Sequence, residues 1–183
     1  GKCSSDPIFF SPQREELISP IHNVLFILPP NHSRRSSQKL TSKFHYLAIK
    51  SAELEAMLED ARVLAADLRL SFETHLQPDL RVPGDRALLH LALFNLINNA
   101  IKYNESDGRI ELRLESARDK TIFTIGNTGP GIPMDVQEKV FERFYRADQT
   151  NLNNPHVDGI GLGLSLAREI VRAHGGELSL PES

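Results

Sequence analysis

The chain has 183 residues, which is the size of one domain with an appendage. Its formal net charge of −3 is too weak to indicate a nucleic-acid or membrane-surface partner, and its single cysteine, Cys3, excludes an internal disulfide framework and suits a reducing compartment. The longest unbroken apolar run, Val24–Leu28, is far too short to span a bilayer.

The first fifty residues differ in composition from the rest. They hold seven basic and three acidic side chains and five of the eleven prolines, and PPNHSRRSSQ (29–38) is typical of a flexible loop. We therefore predict a boundary near residues 40–45, with residues 1–44 as an N-terminal extension and residues 45–183 as the main domain.

The first half of the main domain is predicted to hold two strands and two helices. Hydrophobic periodicity and cap residues place a short strand in KFHYLAIK (43–50), a helix over 51–68 and a strand over 70–76. A long helix over 85–104 follows, with Asp85 as its N-cap.

The second half is predicted to hold an antiparallel pair of strands, GRIELRLES (108–116) and KTIFTIGN (120–127), joined by a short turn. Residues 134–145 are then predicted as helical, 146–159 as a long polar loop, 162–176 as a glycine-terminated helix and ELSL as a last strand. This mixture of elements predicts the α+β class, built as a two-layer sandwich.

The predicted helix 85–104 carries four side-chain amides in NLINNAIKYN (95–104). At about 100° per residue, one face holds polar residues, namely Asn95, Asn98, Asn99, Lys102 and Tyr103. The opposite face holds apolar residues, namely Leu89, Leu93, Leu96, Ile97, Ala100 and Ile101. A solvated face is the simpler interpretation, but such faces favour Glu, Lys and Gln, which suit helices better than Asn. Amide oxygens can ligate Mg²⁺ and a lysine can meet phosphate, so the alternative is a metal and anion site.

Two glycine-rich stretches follow this helix. GNTGPGIP (126–133) predicts a fixed turn where backbone can approach a ligand closely, although a simple turn would also explain it. Gly159, Gly161 and Gly163 alternate directly before a predicted helix, whose first N–H groups can bind phosphate. The stretch is not a dinucleotide fingerprint, because Leu164 stands where G-x-G-x-x-G requires glycine.

Taken in order, NLINNAIKYN, NTGPGIP, VFERFYRA and GIGLGLSLAREIVRAHGG resemble the N, G1, F and G2 boxes of sensor histidine kinases. These kinases belong to the Bergerat-fold ATP-binding superfamily, which they share with gyrase and MutL. The resemblance covers roughly residues 45–183. It implies a mixed, mostly antiparallel sheet covered on one face by helices, and it makes residues 1–44 an extension or the remnant of a dimerisation region.

The resemblance also implies roles for individual residues, with ATP and Mg²⁺ as cofactors. Asn99 corresponds to the Mg²⁺ ligand, and Phe141 and Phe144 to anchors of a mobile lid. The implied catalytic residues are Asn95, Lys102, Arg143 and Arg146. The implied nucleotide-binding residues are Asn95, Asn99, Lys102, Tyr103, Asn127, Gly129, Gly131, Ile132, Phe144, Gly159, Gly161, Leu162, Gly163 and Leu164.

The sequence departs from this family pattern in three places. Asn127 stands where the G1 box usually begins with an aspartate that accepts from the adenine amino group, so we expect weaker nucleotide binding. No histidine fits the phosphoacceptor pattern H-[ED]-x-[RK]-[TS]-P. The family also adds a further strand after the segment that corresponds to HGGELSL, and this sequence ends at LPES.

The activity implied by the resemblance is transfer of the ATP γ-phosphoryl group to a histidine on a dimerisation domain. The implied partners are that histidine-bearing domain and a response regulator, without nucleic acid or direct membrane contact, in the cytoplasm. Two alternatives stay open. One is a nucleotide-binding module without kinase output, and the other is a different Bergerat-fold ATPase or serine kinase.

Overall fold

The computed structural model describes residues 22–29, 46–48, 51–78, 80–117, 120–146 and 160–180. The helices within these residues are α1 (Ser51–Leu64), α2 (Arg86–Lys102) and α3 (Gly163–Ala173). The strands are β1 (His22–Leu28), β2 (Tyr46–Ala48), β3 (Ser71–Leu76), β4 (Arg81–Pro83), β5 (Arg109–Ala117), β6 (Lys120–Asn127) and β7 (Glu177–Ser179). Short 3-10 turns cover Ala66–Leu68, Met134–Val136 and Lys139–Phe141.

The main sheet has the strand order β3–β5–β6–β1–β7. Strands β3 and β5 are parallel, and the other neighbours in this sheet are antiparallel. Strands β2 and β4 form a separate antiparallel pair. The predicted α+β class is confirmed, and so is the antiparallel pairing of β5 with β6.

The hydrophobic core lies between one face of the main sheet and the helices. Alternate sheet residues point into it, as period-two strands require, among them Ile110, Leu112 and Leu114 on β5 and Phe123 and Ile125 on β6. Helix α2 buries seven residues against them, namely Leu89, Ala92, Leu93, Leu96, Ile97, Ala100 and Ile101. The apolar face predicted for this helix is therefore confirmed, and the polar face is left outward.

Asp85 caps α2 as predicted. Its side chain accepts from the Leu88 N–H at 3.1 Å, which satisfies one of the free donors of the first turn. Helix α3 packs beside α2 in the opposite direction, since the Asp85 N–H donates to His174 Nε2 at 2.9 Å while Gly163 faces Asn95 and Asn99. The polar face of α2 thus meets the beginning of α3.

Strand β1 was not predicted, and it lies inside the main sheet, between β6 and β7. It pairs with β6 from His22↔Asn127 to Leu28↔Thr121, and with β7 around Phe26↔Leu178. Phe26 and Leu28 are almost completely buried, and the Phe26 ring meets the Phe123 ring edge to face. A strand from the predicted N-terminal extension therefore belongs to the main sheet, and the boundary expected near residues 40–45 does not separate it from the domain. The other residues of 1–44, apart from Pro29, lie outside the described residues.

The helix predicted over 134–145 is replaced by two single 3-10 turns. Glu142 adopts an extended conformation, and Phe144 has a φ of 66°, so the backbone reverses direction where a helix would continue. Phe141 packs against the hydrophobic core. Core packing of this one ring overrides the helical pattern of the segment. The predicted polar loop lies outside the described residues except for Arg146.

Candidate functional site

The amides of NLINNAIKYN have different surroundings in the structure. Asn95 and Asn99 are half-buried, Asn98 is exposed, and Asn104 lies beyond the end of α2. The Nδ2 of Asn95 donates to the Leu91 carbonyl at 2.9 Å. Because a carbonyl oxygen only accepts hydrogen bonds, the Oδ1 of Asn95 is the atom left for a neighbouring element or a ligand.

The beginning of α3 lies against Asn95 and Asn99. A Cβ atom on Gly163 would lie 3.3 Å from the Asn95 Oδ1 and 3.5 Å from the Asn99 Nδ2. No side chain caps α3 at Leu162, in contrast to the Asp85 cap of α2. An uncapped helix start presents N–H groups and the positive end of the helix dipole to an anion. We call this surface of Asn95, Asn99 and Gly163 the amide face.

The amide face has the chemistry to bind a hard cation that is also bound by an anionic ligand. No group of three or more His, Cys, Asp or Glu side chains that could hold a metal occurs in the described part of the chain. A cation at the amide face would have to be held by amide oxygens together with oxygens of a ligand. Such a donor set fits Mg²⁺, which takes few protein ligands and completes its shell with phosphate oxygens and water.

Side chains at the end of β6 bind the end of α2. The Asn127 Nδ2 donates to the Tyr103 carbonyl at 3.1 Å. The Thr128 hydroxyl lies 3.1 Å from the Asn104 Oδ1 and accepts from the Arg109 N–H at 2.8 Å. The Asn104 Nδ2 in turn donates to the Arg109 carbonyl at 3.2 Å. These bonds hold the last turn of α2, the start of β5 and the end of β6 together.

Gly129 continues the same contact, and we call Tyr103, Asn104, Asn127, Thr128 and Gly129 the α2–β6 corner. A Cβ atom on Gly129 would lie 1.9 Å from the Tyr103 carbonyl oxygen and 2.8 Å from the Asn127 Nδ2. Only glycine lets the backbone pass there. The turn makes a close approach to the backbone that directly follows α2, and the predicted close approach to a ligand stays a prediction. The next two predicted residues, Gly131 and Ile132, are half-buried in the turn that follows.

The segments before and after residues 147–159 meet at Phe144 and Gly161. We call this contact the Phe144–Gly161 junction. The Phe144 N–H donates to the Gly161 carbonyl at 2.9 Å. Both residues have positive φ angles, 66° for Phe144 and 77° for Gly161. A Cβ atom on Gly161 would lie 2.7 Å from the Tyr145 carbonyl oxygen. Phe144 is 63% exposed, so this uncommon conformation of an aromatic residue is not explained by burial.

The other predicted site residues lie around these three contacts. The Lys102 ammonium is 5.1 Å from the centre of the Tyr103 ring. Arg143 is exposed, and Arg146 is half-buried. Two more predicted residues flank Gly163: Leu162 is exposed at the start of α3, and Leu164 packs against the hydrophobic core. Gly159 lies outside the described residues.

Three residues that hold the site in shape were not predicted from the sequence. Asn104 and Thr128 join the α2–β6 corner through their side chains. The Arg168 guanidinium of α3 lies 4.6 Å from the centre of the Phe141 ring and ties the turn at 139–141 to α3. The position of Asn104 just after the helix was an available signal, because Asn favours helix ends and turns. Arg168 gave no comparable signal in the sequence.

None of the helices in the described ranges is long and apolar enough to cross a membrane. The chain was also compared with known families, curated proteins and solved structures. Residues 84–183 match the family described as histidine kinase-, DNA gyrase B-, and HSP90-like ATPase. These residues include α2, the α2–β6 corner, the Phe144–Gly161 junction and α3.

Similar curated proteins are sensor kinases. The adaptive-response sensory kinase SasA of Trichormus variabilis is 41% identical over 108 residues, which is 58% of this chain and 26% of SasA. The sensor histidine kinase RppB of Synechocystis sp. is 34% identical over 179 residues, which is 88% of this chain and 38% of RppB. The chain therefore spans well under half the length of these relatives.

Similar solved structures are histidine kinase domains. The mycobacterial sensor histidine kinase MprB is 30% identical, with a TM-score of 0.60, over 72% of this chain and 81% of the solved chain. The ATP-binding domain of PrrB from Mycobacterium tuberculosis is 27% identical, with a TM-score of 0.54, over 76% and 88%. The family match, the fold and the order of the site elements agree, and the chain belongs to the histidine kinase-, DNA gyrase B- and HSP90-like ATPases as a domain of the sensor histidine kinase type.

Proposed function

We propose that this domain binds Mg–ATP and transfers the γ-phosphoryl group to a histidine on a dimerisation domain, as part of a two-component sensor histidine kinase. The observation that carries the proposal is the contact of Asn95 and Asn99 with the uncapped start of α3. Amide oxygens and free helix N–H groups at one place match the two needs of a metal–polyphosphate complex, which are hard oxygen ligands and donors to anionic oxygens.

Within this proposal, the amide face and the basic residues act on the phosphates. Asn99 would supply an oxygen to Mg²⁺, and a bound Mg²⁺ would neutralise charge that develops on the phosphates. Asn95 orients the phosphate groups, while Lys102, Arg143 and Arg146 provide positive charge. Phosphoryl transfer depends mainly on positioning and on such charge stabilisation, so this set needs no covalent help from the protein.

The nucleotide base is assigned to the α2–β6 corner and the turn beyond it. Tyr103 is 37% exposed at the end of α2, one turn after Asn99, so base and metal sites share one helix. Asn127, Gly129, Gly131 and Ile132 form the other wall. Phe144, Gly161, Leu162, Gly163 and Leu164, with Gly159, form the phosphate end. This arrangement would place a nucleotide along the polar face of α2.

The proposal also covers the partners and the cellular location. No histidine of the sequence fits the phosphoacceptor pattern, so the phosphoryl acceptor is assigned to a dimerisation domain of the whole protein, with a response regulator as the next acceptor. Because ATP is the phosphoryl donor, the domain would act in the cytoplasm. We assign residues 45–183, together with β1, to the ATP-binding domain.

Asn99→Ala tests the metal and phosphate assignment. The variant should lose Mg²⁺-dependent ATP binding and keep its fold, because Asn99 is half-buried on the polar face of α2, away from the core residues. Titration calorimetry with ATP, with and without Mg²⁺, measures the metal-dependent affinity. Asn98→Ala is the matched control, because Asn98 has the same side chain on the same helix and is exposed. Unchanged metal-dependent affinity in Asn99→Ala would refute the amide-face assignment.

A second experiment separates a kinase from a nucleotide-binding module. The domain is mixed with radiolabelled ATP and a separate histidine-bearing helix pair from a sensor kinase. Label on the helix pair that disappears in Asn99→Ala supports phosphoryl transfer. Mg–ATP binding without labelling of any helix pair, including that of the whole protein, would favour the module without kinase output.

A further inference from the structure

The His174 side chain at the end of α3 forms a hydrogen bond with each of its ring nitrogens. Its Nδ1 lies 2.6 Å from the Ile170 carbonyl oxygen of the same helix. Its Nε2 lies 2.9 Å from the backbone nitrogen of Asp85, the residue that caps α2. A carbonyl oxygen only accepts and a backbone N–H only donates, so Nδ1 must carry the proton and Nε2 must be unprotonated. The geometry therefore selects the neutral Nδ1–H tautomer of His174.

Gly84 makes room for this ring. It is buried, and a Cβ atom there would collide with the His174 Cδ2 and would lie 2.8 Å from both the His174 Nε2 and the Leu89 Cδ1. The ring thus lies directly against the backbone that leads into α2. Because the bond to Ile170 holds the ring on α3, His174 is a fixed link between the end of α3 and the beginning of α2.

This link lies at the end of the two helices that is opposite the amide face. Asn95 follows Asp85 by ten residues, and Gly163 precedes His174 by eleven residues. At 1.5 Å of rise per residue, both separations are about 15 to 17 Å, so the two helices reach the amide face over matching lengths. The rise of a helix is held constant by its backbone hydrogen bonds. A slip of α3 at His174 would therefore move Gly163 along Asn95 and Asn99 by a similar distance.

The buried side chains of α3 define its axial position less sharply than this bond does. They are apolar except for Ser165, whose hydroxyl donates to the Leu162 carbonyl within the same segment. Hydrophobic attraction is non-directional, whereas a hydrogen bond weakens steeply when its length or angle changes. The contact between Asp85 and His174 can therefore select one register among several that would bury similar apolar area.

We propose that His174 is a positioning residue that fixes the register of α3 against α2 and so holds Gly163 opposite Asn95 and Asn99. This inference rests on the proposed Mg–ATP binding and adds a residue that acts on the amide face through the two helices, from about 15 Å away. The effect depends on the unprotonated Nε2 of His174, which accepts the backbone N–H at the beginning of α2.

The first experiment needs no substitution. Nitrogen-15 NMR of the His174 ring distinguishes a proton on Nδ1 from a proton on Nε2. We expect the Nδ1–H tautomer in the wild-type chain at about pH 8, where histidine side chains are ordinarily neutral. A proton on Nε2 would overturn the inference, because that nitrogen could then not accept from the Asp85 N–H.

Two substitutions test the acceptor. Glutamine can place its amide oxygen near the position of Nε2 and accept from the Asp85 N–H, whereas the shorter asparagine cannot reach it. We expect His174→Asn to reduce the Mg²⁺-dependent gain in ATP affinity by about tenfold, as the loss of one hydrogen bond predicts. His174→Gln is the matched control and should keep this gain within about twofold. Titration calorimetry with ATP, with and without Mg²⁺, measures the gain.

The amide face reports the register without any nucleotide. The side-chain NH₂ resonances of Asn95 and Asn99 should shift in His174→Asn and stay in place in His174→Gln, because only the first variant loses the acceptor. A lower melting temperature of His174→Asn, with these resonances and the Mg²⁺-dependent affinity unchanged, would show that His174 only stabilises the fold. That result would overturn the inference, and so would equal effects of the two variants.

Failure of the proposed function gives a different result. A wild-type chain that does not bind Mg–ATP would refute the proposed function, and the Asn95 and Asn99 resonances would still decide whether His174 fixes the register. A wild type that binds Mg–ATP, with no change in His174→Asn, would refute this inference alone. If His174→Asn does not fold, His174→Gln decides, because retention of the Mg²⁺-dependent gain supports the acceptor role and loss of the gain overturns it.

Discussion

The two ends of the site are built differently. The α2–β6 corner is held by several hydrogen bonds that involve the side chains of Asn104, Asn127 and Thr128. Among the described residues, the Phe144–Gly161 junction shows one backbone hydrogen bond, and both of its residues have positive φ. The corner has redundant bonds and no room for change, whereas the junction combines a single bond with an unfavourable aromatic conformation. We conclude that the corner is the more rigid of the two contacts, and we expect a conformational change in this part of the chain to begin at the junction.

Gly129→Ala should have the largest effect, because it tests the corner where there is least room. The added Cβ would lie 1.9 Å from a backbone oxygen. Relief of this clash requires the backbone to move, because the nearest atom does not belong to a flexible side chain. We expect the free energy of unfolding to fall by about 3 kcal/mol or more, as for severe overpacking. Urea denaturation gives this value. Thr128→Ser keeps the hydroxyl and is the control, and an equal loss of stability in both variants would contradict the redundancy described for the corner.

Gly161→Ala tests the junction and should have an intermediate effect. Alanine is disfavoured at a φ of 77°, and its Cβ would lie 2.7 Å from the Tyr145 carbonyl oxygen. We expect a loss of about 1–3 kcal/mol in the free energy of unfolding. Gly163→Ala is the stability control, because its Cβ would lie 3.3 Å or more from its neighbours and alanine favours helices. If Gly163→Ala is less stable than Gly161→Ala, the junction does not require glycine at position 161.

Phe144→Gly should have the smallest effect on stability. The direction of the change in melting temperature shows whether the Phe144 ring stabilises the fold. Glycine adopts positive φ without steric cost, and the exposed Phe144 ring contributes little buried area. We expect the melting temperature without nucleotide to stay the same or to rise, equivalent to about 0–1 kcal/mol. A clear fall would mean that the ring stabilises the fold by packing. The same variant should bind Mg–ATP more weakly if Phe144 contacts the nucleotide, as proposed.

The elements with strong local signals were predicted well. The period of apolar residues in α2 and its Asp85 cap are set by interactions within a few turns of the helix, so the sequence alone reveals them. Strand β1 was missed because its pairing partners, β6 and β7, lie far along the chain. A local sequence pattern does not identify such distant partners. The short strand β4 was missed for the same reason.

The sequence indicates which residues are candidates for the site, but it does not show how the fold holds them. The polar face of α2 and the glycine-rich stretch that leads into α3 pointed to the amide face. The Asn127 bond to Tyr103 depends on where the end of β6 meets the end of α2, which is a property of the tertiary structure. Phe141 and Phe144 follow a helical pattern, but core packing and the Gly161 contact decide their backbone.

The position of β1 between β6 and β7 has a consequence for how the chain folds. This strand is synthesised before both of its neighbours in the sheet, which come from the second half of the sequence. Contacts so far apart in sequence give a high contact order, which slows folding. Until β6 and β7 emerge, the apolar residues of β1 have no place in the sheet, and they would need protection from aggregation during synthesis.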